Sequence, residues 1–343
     1  MNSIVQFIDA AGLANPFTFI LIFLGASMLM IWRLNAVLDH GLEGTALGTL
    51  VMPYCSGLGN LIFVFILLNG HGDAREIMTN CLVNNTTNLT LVLAIPALIW
   101  GLNMAPAVAD GKEGKTKRQK KNPKGDKVET EQRLSRLSLL LTMAAVVFFT
   151  GAVWALGQDG YIDFNDGLVL VGLFLFWQCF QVFDVLKHNV RQRRSFTALF
   201  YLDLAILLVG AALLYVSLDW LVQWLTTQKT GFLSAKNLGW LSGWLMVLPN
   251  AILAIYYSVR GRADIVYTSQ IGDGHICIPL CIGLFSLFQP IPLPAFFQTS
   301  ITILLGATVL HFLVIVTLGR LPRWAGWLLL VAYAWFVYTG LAG

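Results

Sequence analysis

The chain has 343 residues, a formal net charge of +4, and a composition that is 57% hydrophobic and only 12% charged. Soluble domains carry about 25% charged residues, so a water-soluble surface is excluded and the chain reads as an all-α integral membrane protein. The sequence holds no phosphate-binding Gly loop, no nucleophile placed beside a base and no basic surface for nucleic acid, so neither an enzyme nor a nucleic-acid partner is expected.

A membrane-crossing helix needs about 20 mostly apolar residues. The first such stretch, 16–34, meets Arg33 without the small-residue pattern of a cleaved leader and is read as a retained span. The second, 42–68, carries Gly57-Leu58-Gly59-Asn60, which predicts locally unwound backbone, and it closes on Asn69-Gly70-His71-Gly72-Asp73. The third, 77–101, contains Asn84-Asn85-Thr86-Thr87-Asn88. Residues 103–136 then gather ten of the 22 Lys and Arg among Gly and Pro, which predicts a disordered basic loop that anchors topology and offers a contact for anionic lipid.

Spans four and five follow at 137–157 and 166–186, and a short basic loop at 187–195 separates them from spans at 196–218, 238–258, 265–288, 295–318 and 323–341. Span seven is broken by Leu248-Pro249-Asn250, and backbone unwound before Pro249 is expected. The turn Ser258-Val259-Arg260-Gly261-Arg262-Ala263-Asp264 comes next, and span eight holds Gly272-Asp273-Gly274-His275. One unit is therefore used twice: an interrupted span, a Gly turn, and a polar stretch in the following span. Such paired, interrupted segments point to the central binding site of a transporter.

With ten spans and both termini outside, 19 of the 22 basic residues fall on the cytoplasmic side, and only Arg75, Lys229 and Lys236 lie outside. Lys and Arg stay cytoplasmic in this way. Five spans per half makes the two units inverted, related by a pseudo-two-fold axis in the membrane plane. The organisation expected is a first repeat unit at 1–102 (spans one to three), a basic cytoplasmic loop at 103–136, spans four and five at 137–186, a basic loop at 187–195, and a second inverted repeat at 196–343.

Other side chains receive plainer readings. Cys55, Cys81, Cys179, Cys277 and Cys281 all lie in apolar runs, so a disulfide framework is not expected. His275, Cys277 and Cys281 are a weak soft-metal pattern, read as no metal site. Asp184 and Asp203 are expected to pair with Lys187, Arg191, Arg193 and Arg194 at the surface. Trp220, Trp224, Trp240, Trp244, Trp324 and Trp327 are expected in interfacial belts.

These residues are similar to those of the cation/calcium exchanger superfamily. Each of that family's two inverted alpha-repeats holds a Ser/Thr-rich Leu-Pro-Glu stretch, an Arg-Gly-x-x-Asp-like turn and a Gly-Ser-Asn-x-x-Asn-like stretch. The resemblance covers 40–103 and 238–290 directly and the ten-span plan overall. Leu248-Pro249-Asn250, Arg260-Gly261, Asp264 and Gly272 carry the closer half; Leu58-Gly59-Asn60, Gly70 and Asp73 carry the other. It implies that Asn60 and Asn250 stand where the family's two metal-binding glutamates stand, Asn84 and Asn88 where a Ser and an Asn or Asp stand, and Asp273 where the second repeat has Ser.

The departures shift the expected cargo. Both glutamates are amides, the first proline is Gly59, and hydroxyl positions before the second are Met246 and Val247. Calcium takes about six to eight oxygens, with carboxylates supplying the countercharge. Asn60, Asn84, Asn88, Asn250 and Asp273 offer one carboxylate among amides, which suits a monovalent cation or a proton carried by alternating access. No cofactor is expected beyond a bound sodium ion. The partners expected are the lipid bilayer, a small cation, and a membrane or soluble protein. The expected location is a bacterial inner membrane. The alternative is a non-transporting, exchanger-fold subunit of a membrane complex.

Overall fold

The computed structural model describes residues 2–39, 52–70, 72–104, 123–189 and 198–342. A short helix, α1 (Asn2–Ala10), precedes the first span and escapes a ruler set for membrane-crossing lengths. The first half continues as α2 (Pro16–Asp39), α3 (Met52–Leu68), α4 (Arg75–Thr87), a π-helical turn (Asn88–Val92), α5 (Leu93–Ile99), α6 (Pro123–Leu156) and α7 (Phe164–Asn189). The second continues as α8 (Ala198–Thr227), α9 (Leu238–Val259), α10 (Ala263–His275), a π-helical turn (Ile276–Cys281), α11 (Ile282–Ser286), α12 (Phe297–Leu318) and α13 (Arg323–Ala342). Eight of the helical segments are long and apolar enough to cross a membrane. The other two of the ten are α3, with its shorter apolar run Gly57–Leu68, and the polar-centred segment from α10 to α11.

The inverted repeat is visible in two small antiparallel strand pairs. β1 (Leu102–Asn103), just after α5, pairs with β4 (Arg320–Leu321), between α12 and α13. β3 (Ile291–Pro292), just after α11, pairs with β2 (Tyr161–Ile162), between α6 and α7. Exchanging the halves turns one pair into the other. Each pair also requires its two segments to lie on the same side, which fixes the parity of the spans between them. The Gly turns match too: Gly70 and Gly72 close α3 with φ of 97° and 135°, and Gly261 closes α9 with φ of 68°. A side chain with a Cβ is rarely found in that region.

The π-turns occupy corresponding places because each half puts a proline in its third span. Pro96 lies in α5 and Pro279 in the second π-turn. Proline has no N–H to give and crowds the carbonyl four residues back, so the helix widens instead of keeping the α register.

The unwinding expected at Gly57–Gly59 and before Pro249 does not occur, since α3 and α9 run unbroken through both. The glycines serve close packing instead. A Cβ on Gly57 would stand 2.9 Å from Ile276 Cβ, and one on Gly59 would stand 2.5 Å from Met246 Sδ. The basic segment is also not a loop throughout, because α6 begins at Pro123 and continues 34 residues into the membrane span. Residues 105–122 and 190–197 of the two expected loops lie outside the described residues.

The core is built by α3, α4, α9 and α10 with their π-turns, while α2 packs along α8 to one side. The Asp203 carboxylate takes a bond of 3.0 Å from Arg33 Nη1, joining α8 to α2, while the side chains of Asp184 and of the basic residues expected to pair with both acids lie outside the described residues. Trp240 is no belt residue. It is buried, with ring centroids 5.0 Å from Phe336 and 5.3 Å from Phe296. Trp324 and Trp327 are exposed.

Candidate functional site

Asn84 and Asn88 are four residues apart and so share one face of their helix. That face meets Asn60 on α3 and Asp273 on α10. Asn84 donates from Nδ2 to Asn60 Oδ1 at 3.3 Å. Asn88 donates from Nδ2 to Asn84 Oδ1 at 2.9 Å and to Asp273 Oδ2 at 3.2 Å. Asn250 on α9 donates from Nδ2 to the same Asp273 oxygen. All five side chains predicted for the site therefore form one connected network that spans both repeats. Each is at most 1% exposed.

The electrostatics follow from that list. One carboxylate and four neutral amides converge, and the carboxylate accepts charge-assisted bonds, which are roughly twice as strong as neutral ones. Burying a lone carboxylate would cost many kcal/mol, and the two amide donors offset part of that cost for Asp273. Several polar atoms at the network remain without a protein partner among the described residues: Asn60 Nδ2, Asn88 Oδ1, Asn250 Oδ1 and Gln270 Oε1.

Gln270 was not legible as a site residue. It is fully buried, three residues before Asp273, and donates from Nε2 to the Asn250 backbone carbonyl at 3.1 Å. Its signal was available as helical spacing, since residues three apart share a face. His311 on α12 was missed for a different reason: its partner is a backbone atom. His311 Nε2 lies 2.8 Å from Leu89 O in the first π-turn, and because a carbonyl only accepts, Nε2 carries the proton. Tyr267 lies edge-on to the same ring, with centroids 5.7 Å apart. Asn80 Nδ2 also bonds Ser242 Oγ at 2.9 Å, tying α4 to α9.

His275 turns away from Cys277 and Cys281. Its ring stacks on Trp177 at 5.4 Å and meets Phe149 edge-on at 6.0 Å. Among the described residues, no group of three or more His, Cys, Asp or Glu is arranged to hold a metal ion.

Ten helical segments in two inverted halves, with a buried polar centre where α3, α4, α9 and α10 meet, define the architecture of an inverted-repeat membrane protein of the transporter type. The sequence profile described as "Sodium/calcium exchanger protein" matches residues 15–183 and 202–341, and the chain belongs to that family. The fold is similar to that of the sodium-calcium exchanger NCX_Mj in several solved states. With the crystal soaked in 2.5 mM Na+ and 1 mM Sr2+, the TM-score is 0.65 at 16% identity, covering 95% of this chain and 97% of that one. Soaked in 2.5 mM Na+ and 0.1 mM Sr2+, the values are 0.63 and 17%, with 94% and 96% covered. Soaked in 2.5 mM Na+ and 0.1 mM Ca2+, they are 0.62 and 17%, with 93% and 95% covered. No curated protein sequence matches the chain.

Proposed function

We propose that the chain is a membrane antiporter that carries a monovalent cation or a proton by alternating access, with Asp273 as the fixed countercharge. The observation that carries this reading is the make-up of the network: Asp273 is its one carboxylate, and Asn60, Asn84, Asn88 and Asn250 are neutral. A dication would keep an uncompensated positive charge in a low-dielectric site. A sodium ion or a proton would be neutralised by Asp273 alone.

The orphaned amide oxygens give the exchange a structural route. Asn88 and Asn250 turn Nδ2 toward Asp273 and leave Oδ1 without a partner among the described residues. Rotating both amides by a half-turn would replace two donors with two acceptors, so that a sodium ion meets Asp273 and a set of amide oxygens. A proton on Asp273 would instead turn an acceptor into a donor for one of those oxygens. Either cation therefore substitutes for the amide hydrogens that cap the carboxylate in the present arrangement.

In the same reading, residues 1–102 and 196–343 carry the two inverted units, and 137–186 adds spans four and five. The basic segments 103–136 and 187–195 face the cytoplasm of a bacterial inner membrane, with both termini outside. A non-transporting subunit is the second reading, favoured by buried Met246 and Val247 at positions before Asn250 that would otherwise offer hydroxyls. Uptake into proteoliposomes under imposed sodium and proton gradients, with a panel of cations, separates them. Gradient-driven movement of a monovalent cation or proton is expected. Calcium uptake at micromolar concentration would overturn the charge argument, and no movement of any cation would favour the subunit.

A further inference from the structure

Gln270 differs from the other amides of the core in how firmly its side chain is held. It lies on α10 three residues before Asp273, so the two share a face, and the helix rises about 4.5 Å between them. Its Nε2 donates to the Asn250 backbone oxygen at 3.1 Å and to Ser269 Oγ at 3.0 Å. Asn250 is also a residue whose side chain bonds Asp273. The amide is therefore tied, through one residue of α9, to the carboxylate it neighbours along α10.

Those two bonds fix which end of the amide faces which way. A backbone carbonyl only accepts, and Ser269 Oγ spends its hydrogen on Val266 O at 3.0 Å, so toward Gln270 it accepts as well. Turning the amide by a half-turn would set its oxygen against two acceptors. Oε1 is thus held away from both, fully buried and without a protein partner among the described residues. Asn88 and Asn250 are different, since each gives its nitrogen to Asp273 and must rotate to offer an oxygen there. Tying α10 to α9 uses only the Gln270 nitrogen, and a buried carbonyl left unpaired is costly. The tie alone does not account for a glutamine at this position.

We propose that Gln270 is a cation ligand, its Oε1 being the oxygen already in place for an alkali cation of sodium's size held by Asp273. This rests on the reading of Asp273 as the countercharge and names the cation it serves. Sodium is close to calcium in size, and oxygens stand about 2.4 Å from calcium, so two ligands of one such ion lie up to about 5 Å apart. The rise from Gln270 to Asp273 along α10 matches that span. A proton makes no such demand. Sitting on Asp273, it needs one acceptor, which Asn88 or Asn250 supplies by rotating. A buried amide oxygen fixed in advance therefore favours the sodium form of the reading over the proton form.

The test uses the full chain in detergent, melted at rising sodium chloride with choline chloride holding the ionic strength constant. Sodium should raise the melting temperature of the unmutated protein. The midpoint of that rise should move to at least about tenfold higher sodium in Gln270→Met, which keeps the length of the side chain and removes the oxygen. A purely structural role would lower the melting temperature without sodium and leave the sodium midpoint in place, so a midpoint within about twofold of the unmutated value overturns the proposal. Where Gln270→Met does not fold, Gln270→Asn takes its place, because it keeps an amide and draws the oxygen back by one methylene; the same shift is expected and the same result overturns it. A complete lack of sodium response in the unmutated protein overturns it too, and leaves standing the proton form of the transport reading. Asp273→Asn separates the two claims. A sodium response kept in Asp273→Asn and lost in Gln270→Met would remove the countercharge and leave the ligand, whereas the reverse pattern would remove the ligand alone.

Discussion

Asn88 and Asp273, 185 residues apart in sequence, share a hydrogen bond of 3.2 Å at the centre of the molecule, each fully buried and each from a different repeat. Among the described residues, the bond joins the one carboxylate of the central network to an amide on the opposite half.

Replacing Asp273 with Asn should abolish cation-coupled uptake while leaving the fold largely intact. The amide keeps the shape and one acceptor oxygen, so Asn88 or Asn250 retains a partner. Uptake in proteoliposomes and thermal melting in detergent, measured on the same preparation, check both halves of the expectation. Full activity in Asp273→Asn would show that the countercharge lies elsewhere.

Restoring carboxylates at the two amide positions should change the cargo. Asn60→Glu with Asn250→Glu places two negative charges beside Asp273, and such a site attracts a dication with oxygen ligands. Strontium or calcium should raise the melting temperature of the double variant and leave the unmutated protein unchanged. Equal stabilisation of both proteins would remove the charge argument.

Gly239→Ala should destabilise the protein by about 1–3 kcal/mol through overpacking. Its Cβ would stand 2.6 Å from Thr79 Cβ and 2.7 Å from the Glu76 backbone oxygen, and the Gly239 N–H bonds Glu76 Oε2 at 2.5 Å. Gly306 has open space around its Cβ position, so Gly306→Ala serves as the neutral comparison in the same melting series.

His311→Phe keeps the ring and removes the donor to Leu89 O. Leaving a buried carbonyl without a partner costs about 1–3 kcal/mol, and the first π-turn, which begins at Asn88, loses its brace. A lower melting temperature and a raised KM for the transported cation are expected. An unchanged KM would confine His311 to a purely structural role.

A single cysteine placed in the 111–127 segment, in a chain otherwise free of reactive thiols, should react with an impermeant reagent only after the membrane is opened. Labelling from outside intact cells would reverse the orientation read from the basic residues.

Asn60, Asn84, Asn88, Asn250 and Asp273 could be singled out from sequence because intramembrane polar residues are rare and the repeat recurs in both halves, and the structure joins the five by hydrogen bonds. His311 could not, since its partner is a backbone carbonyl in a π-turn, which side-chain identity does not announce, and Gln270 offered only its spacing three residues from Asp273. The expectation of unwound backbone at Gly57–Gly59 failed for a similar reason. A glycine is equally compatible with a break and with close approach, and only the presence of Ile276 and Met246 against those positions decides for packing.

The sequence by itself determined membrane insertion, the ten-span plan and the inverted relation of the halves, because hydrophobic length, charge distribution and an internal repeat are properties of the chain alone. The tertiary structure decided which amides cap Asp273, that Asp203 bonds Arg33, and that Trp240 is core. Those are contacts between segments far apart in sequence. In an apolar chain many helix faces offer similar burial, so only the packing of one helix against another selects the partner.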